Sequence, residues 1–171
     1  YLDDARAKGA DIVEINPAGE DLSQQPHRRM APTLILNPTD DMKIMQEEIF
    51  GPVLPIVTYN ELGEAIAFVN ARPRPLALYY FGSSAGNRER VLTETTSGGV
   101  TVNGTILHYV QDDLPFGGVG PSGIGAYHGR FGFEEFSHRK SVLTKTTRPD
   151  LAALIYPPYT EKAWKLARRL F

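Results

Sequence analysis

Val53-Leu54-Pro55-Ile56-Val57-Thr58-Tyr59 is an apolar run of strand length, and Asn60-Glu61-Leu62-Gly63-Glu64-Ala65-Ile66-Ala67-Phe68-Val69 follows it directly. In the second stretch Leu62, Ala65, Ile66 and Val69 fall at i, i+3, i+4 and i+7, one face of a helix with Asn60 as its expected N-cap. Arg72-Pro73-Arg74-Pro75 cannot prolong that helix, because each proline lacks an amide donor and drives its predecessor into an extended conformation. Leu76 to Phe81 is then a further apolar strand, and a helix from Ser84 or Ala85 to about Thr95 turns Val91 and Leu92 inward. Gly98-Gly99 ends it, and Val100-Thr101-Val102 is a strand again. On the N-terminal side, Ala31 to Leu36 predicts a strand, and Asp40 to Gln46 a helix capped by Asp40. Residues 31 to 103 therefore read β-α-β-α-β-α-β. Buried strands alternating with amphipathic helices predict an α/β fold, a mainly parallel sheet flanked by helices.

The flanks are less regular. Tyr1 to Lys8 has the pattern of helix turns stopped by Gly9, Asp11 to Ile15 is a short strand, and Asn16 to Arg29 is a polar loop. Ser141 to Thr147 is β-branched and basic, an edge strand or arm with nothing nearby to complete a hairpin, so it is expected to pair with another element or chain. Ile155 to Tyr159 is extended, and Thr160 caps a terminal helix with Trp164, Ala167 and Phe171 on one face and Lys162, Lys165, Arg168 and Arg169 elsewhere. Such a helix suits a membrane surface, but a surface helix docked by Trp164 is the commoner arrangement and the expectation here.

The 171 residues suffice for one domain or part of a larger one. Hydrophobic residues make up 42% and the net charge is −2, so neither nucleic acid nor an anionic membrane is an electrostatic partner. No apolar run is long enough to span a bilayer and no signal-peptide pattern opens the chain, which predicts a cytoplasmic protein. The absence of cysteine excludes disulfides, thiolate metal sites and a cysteine nucleophile within these residues. Histidines 27, 108, 128 and 138 lack zinc-site spacing, so no metal is expected.

Two stretches carry the candidate chemistry. In Glu47-Glu48-Ile49-Phe50-Gly51-Pro52, two acids and an aromatic stand at a helix-to-strand junction, the end of a sheet where α/β folds bind ligands. A carboxylate there can accept hydrogen bonds from ribose hydroxyls, and a phenyl ring can pack beside a flat heterocycle. Between Gly117 and Gly129, six glycines fall in thirteen residues. Gly120 to Gly125 spells G-x-x-G-x-G rather than a dinucleotide fingerprint, so the glycines read as a tight loop letting backbone pass close to another domain, with Phe116 and His128 able to face a substrate.

Together with Leu114-Pro115-Phe116-Gly117-Gly118 and Ser122-Gly123-x-Gly125, the first motif resembles the NAD(P)-dependent aldehyde dehydrogenase superfamily over nearly the whole chain. Arg74 to Tyr79, Tyr127-His128-Gly129, Phe136-Ser137-His138 and Tyr156-Pro157-Pro158-Tyr159 resemble its class-3 and coniferyl aldehyde dehydrogenase type. The resemblance implies a reaction in which a cysteine attacks the aldehyde, hydride passes to the nicotinamide, and water releases the acid. It implies that Glu48 holds the nicotinamide ribose, that Phe50 packs at the nicotinamide end, and that Phe116 and His128 line the substrate tunnel. Asn103, at a strand end near the active site, is implied to be structural. The cysteine, the general-base glutamate, the oxyanion-holding asparagine and the cofactor domain all precede the matched region, so no catalytic residue is expected here. The chain then reads as a C-terminal fragment, inactive and without bound NAD or NADP by itself. Residues 1–113 would be the end of the catalytic domain, 114–140 a Gly-rich return segment, 141–148 the oligomerisation strand of a homodimer, and 149–171 a tail helix. The alternative is a natural non-catalytic binding or assembly module of the same fold.

Overall fold

The computed structural model describes residues 1–24, 27–150 and 156–170, the side chain of Leu170 excepted. The chain runs α1 (Leu2–Ala7), β1 (Asp11–Glu14), β2 (Thr33–Leu36), β3 (Val53–Ile56), α2 (Leu62–Asn70), β4 (Ala77–Tyr80), α3 (Ala85–Glu94), β5 (Gly99–Val102), α4 (Gly129–Glu135) and α5 (Glu161–Leu170), with 3₁₀ turns at Leu22–Gln24 and Lys43–Met45. The fold is α/β. The strands form two ladders: β1-β2-β3, and β4-β5. β2 pairs parallel to β3, with Ile35 opposite Pro55, and β4 pairs parallel to β5, with Leu78 opposite Val100. β1 runs antiparallel to β2. The strand-helix-strand alternation thus holds from β3 to β5, and among the described residues the strands form two ladders. Pro55 has no amide hydrogen, which suits β3 to the edge position it occupies.

The first ladder carries the core. Ala5, Ile35, Met42 and Ile44 are buried together, with Leu2, Ile12, Met45, Ile49 and Val53 packed around them. Burying each of the larger side chains contributes about 2 kcal/mol. Gly9 closes α1 with φ +83, a conformation that costs glycine little. Beside the second ladder, α2 and α3 turn Ile66 and Val91 inward. Arg72 links the two regions: its guanidinium lies 3.3 Å above the Phe68 ring and ion-pairs with Asp40.

Several local expectations are corrected. Asp40 caps no helix, because its carboxylate is taken by Arg72. The segment after it is the 3₁₀ turn Lys43–Met45, held by i→i−3 bonds from the Met45 and Gln46 amides. So short a stretch gains little from helix propagation, and here it serves to bury Met42 and Ile44. At α2 the cap residue is Glu61, not Asn60; the Asn60 amide instead donates to the Glu64 carboxylate at 2.9 Å. Ser84 does cap α3, accepting from the Asn87 amide at 3.2 Å, and Thr160 caps α5, accepting from the Ala163 amide at 3.3 Å. α5 is seated by Ala163, whereas Trp164 is 57% exposed and meets the Tyr159 ring at 6.1 Å. No helix among the described residues is long and apolar enough to cross a membrane.

Candidate functional site

The acids of residues 47 and 48 have different fates. Tyr1 donates its hydroxyl to Glu47 Oε2 at 2.9 Å and also reaches the Glu48 carbonyl at 3.3 Å. That bond to Glu47 is the main reason the Tyr1 phenol is raised above its ordinary range. The Glu48 carboxylate accepts no hydrogen bond from the described residues, and Phe50 is 90% exposed. Both stand in the loop entering β3, where Phe50 and Ile49 border a recess of about 380 Å³ with Tyr1, Met30 and Val53. A carboxylate there can accept hydrogen bonds from hydroxyl groups, and an open phenyl ring offers a face to a flat heterocycle.

Phe116 and His128 lie together in a separate place, packed near β4 and β5. Their rings stack at 5.9 Å with 24° between planes. Tyr109 meets Phe116 edge-on at 4.9 Å, and Tyr127 meets His128 at 4.4 Å. Partial burial raises the Tyr127 phenol above its usual range, and the neighbouring Tyr109 phenol adds to the effect. His128 Nδ1 is buried without a partner among the described residues, and its φ is +93, unusual for a residue with a side chain. No ring contact or hydrogen bond among the described residues joins this cluster to Glu48 and Phe50.

The Gly-rich segment folds against itself. Phe116 and Tyr127 exchange two backbone hydrogen bonds of 2.9 Å each. A Cβ on Gly117 would lie 2.0 Å from the Gly125 carbonyl oxygen, and one on Gly118 2.0 Å from that of Ser122. Among the described residues, the close approach these glycines make is to their own loop. Val119 donates its amide to Ser122 Oγ at 2.9 Å, tightening the turn.

Two elements of this region are absent from the sequence reading. α4 (Gly129–Glu135) contains Gly129 and Gly132, poor helix formers, and is supported by the Arg130–Glu134 ion pair at 2.6 Å. His108 is only 8% exposed, with Nδ1 2.8 Å from Thr101 Oγ1. Its signal in the sequence is a lone imidazole in the apolar run Ile106-Leu107-His108-Tyr109-Val110, a place where a polar ring needs a partner. Asn103 has the structural role expected of it: its amide accepts from the Gly82 N–H at 2.8 Å and donates to the Gly82 carbonyl at 3.2 Å, tying the ends of β4 and β5.

The family is decided by comparison with known sequences: the profile described as the aldehyde dehydrogenase family matches residues 1–142. The chain belongs to the aldehyde dehydrogenase family. Among curated aldehyde dehydrogenases, it is 63% identical over 163 residues to a probable coniferyl aldehyde dehydrogenase of Caulobacter vibrioides, covering 94% of this chain and 33% of that one. Among solved aldehyde dehydrogenases, it is similar to the substrate-bound AldH of Staphylococcus aureus with a TM-score of 0.72 and 39% identity, covering 99% of this chain and 35% of the other. A betaine aldehyde dehydrogenase of the same organism, solved in complex with NAD+, matches with a TM-score of 0.66 and 36% identity, covering 80% of this chain and 27% of the other. The chain therefore spans about a third of the length of the aldehyde dehydrogenases it matches.

Proposed function

We propose that these residues form the C-terminal third of an NAD(P)-dependent aldehyde dehydrogenase that oxidises an aromatic aldehyde of the coniferyl type to the carboxylic acid. The observation that carries this reading is the Glu48 carboxylate, without a partner among the described residues, two positions before the exposed Phe50 ring in a chain of this family. Glu48 holds the nicotinamide ribose through its hydroxyls, and Phe50 limits where the nicotinamide can sit. NAD or NADP held by these residues would supply the hydride acceptor for the oxidation. Phe116 and His128 offer a stacked wall to a flat substrate, which suits an aryl aldehyde better than an aliphatic one.

The chain supplies neither the nucleophile nor the general base. With no cysteine and half of a cofactor site, residues 1–171 alone turn over no aldehyde. The open edges of β4 and β5 are consistent with further strands from a longer chain. Ser141 to Thr147 joins no ladder among the described residues, and Leu143 is 94% exposed. We assign it to the interface of a homodimer, between a return segment at 114–140 and a tail at 149–171.

The test is reduced-nicotinamide absorbance with coniferyl aldehyde, run on the full-length protein and on residues 1–171. The expected result is turnover by the first and none by the second. Turnover by residues 1–171, or none by the full-length protein, overturns the reading.

A further inference from the structure

The pair Thr101 and His108 has no part in the roles assigned above. Thr101 lies within β5 and is buried, and His108 follows on the connection toward Phe116. The imidazole is confined on every side the structure describes. Its Nδ1 lies 2.8 Å from Thr101 Oγ1, and its own backbone amide donates to the same oxygen at 3.3 Å. Gly99 underlies the ring so closely that a Cβ there would lie 2.6 Å from Cδ2 and 2.9 Å from Nε2. The Tyr79 ring stands at 6.1 Å and the Phe116 ring at 5.8 Å, tilted 42°. Phe116 thus touches two imidazoles, His108 at 5.8 Å and His128 at 5.9 Å.

His108 Nε2 is buried with no partner among the described residues. A buried polar atom without a hydrogen bond is a cost that a phenyl ring in the same place would avoid. What the imidazole gains is the directional bond to Thr101, which fixes the ring's rotation as packing alone would not. We propose that His108 is a positioning residue: anchored to Thr101, it sets the tilt of Phe116 and so favours flat aryl aldehydes over small aliphatic ones. An aryl substrate depends on the angle of the ring it stacks against, whereas a short alkyl chain gains little from it. This inference rests on the dehydrogenase reading above.

The experiment compares Thr101→Val, Thr101→Ser and wild type in the full-length protein, with benzaldehyde and propanal as substrates. Thr101→Val keeps the shape of the side chain and removes the anchoring hydroxyl; Thr101→Ser restores it. The expected result is a KM for benzaldehyde raised about tenfold in Thr101→Val, within the range that altered pocket contacts produce. Its kcat and the propanal constants stay unchanged, and Thr101→Ser returns the wild-type value. Equal effects on both substrates, a fall in kcat alone, or no effect at all would overturn the proposal while leaving the dehydrogenase reading intact. A wild-type protein that oxidises neither these aldehydes nor coniferyl aldehyde overturns that reading, and this inference with it.

Discussion

Phe116 and Tyr127 are bound to each other through both backbone hydrogen bonds, each 2.9 Å long, and this pairing closes the Gly-rich segment into a compact flap. The pairing brings Gly117 against Gly125 and Gly118 against Ser122, backbone on backbone. It also fixes Phe116 and the neighbour of His128, and Phe116 and His128 are the two residues of the proposed substrate wall.

The first prediction follows from that contact. Gly117→Ala or Gly118→Ala places a methyl 2.0 Å from a carbonyl oxygen that belongs to backbone and cannot swing aside. The expected loss is about 3 kcal/mol of stability, the upper part of the usual overpacking range. Denaturant unfolding of the full-length protein measures it. A loss no greater than that of Gly51→Ala, whose Cβ would meet nothing within 4 Å, would show that the flap yields freely.

The second concerns the cofactor. Glu48→Gln keeps the shape of the side chain and removes the charge that makes it a strong acceptor for ribose hydroxyls. A hydrogen bond to a charged group contributes about 1.5–3 kcal/mol, so KM for NAD(P) should rise roughly ten- to a hundredfold. KM for the aldehyde should hold. Glu47→Gln is the control, since Glu47 is engaged by Tyr1, and it should change KM for NAD(P) little.

The third is a pH dependence. Asp4 Oδ2 accepts the Lys43 amide at 2.9 Å, and Asp4 Oδ1 lies 3.0 Å from Lys8 Nζ. The Lys43 amide first, and the Lys8 ammonium after it, hold the Asp4 carboxyl below its ordinary value. A group depressed in the folded state contributes stability above its unfolded value, and loses it as pH falls through the folded one. Protection of the Lys43 amide from hydrogen exchange should therefore be constant near neutrality, fall in acid below the ordinary aspartate range, and be lower at neutral pH in Asp4→Asn. Equal protection in Asp4→Asn and wild type at neutral pH would contradict the linkage.

The fourth addresses assembly. Leu143 is 94% exposed and Val142 78% exposed in a segment that joins no ladder among the described residues. Leu143→Asp sets a charge into the proposed dimer seam. The expected outcome is a halved mass for the full-length protein by light scattering, with its helical circular dichroism unchanged. A mass that stays dimeric would place the interface elsewhere.

The sequence alone determined the α/β class, because period-2 and period-3.6 apolar patterns reflect local geometry that neighbours cannot rewrite over whole segments. β2 to β5, α2 and α3 lie where those patterns put them. It also supplied the motif residues that mark the family, from Glu47 to Pro52 and from Leu114 to Gly125. Only the tertiary structure decided what depends on partners distant in sequence. Asp40 is drawn from its expected cap by Arg72, thirty-two residues away. Tyr1 engages the Glu47 carboxylate across forty-six residues and leaves the Glu48 carboxylate without a partner among the described residues, a distinction that two adjacent glutamates do not carry in themselves. The glycines of the flap meet their own loop, and α4 forms across two of the residues least suited to a helix. His108 is the plainest case: spacing identifies it as no zinc ligand, but its anchor on Thr101 and its contact with Phe116 arise only when β5 and the flap are folded together. Periodicity is written locally and survives translation into sequence, whereas a hydrogen-bond partner is chosen by the fold.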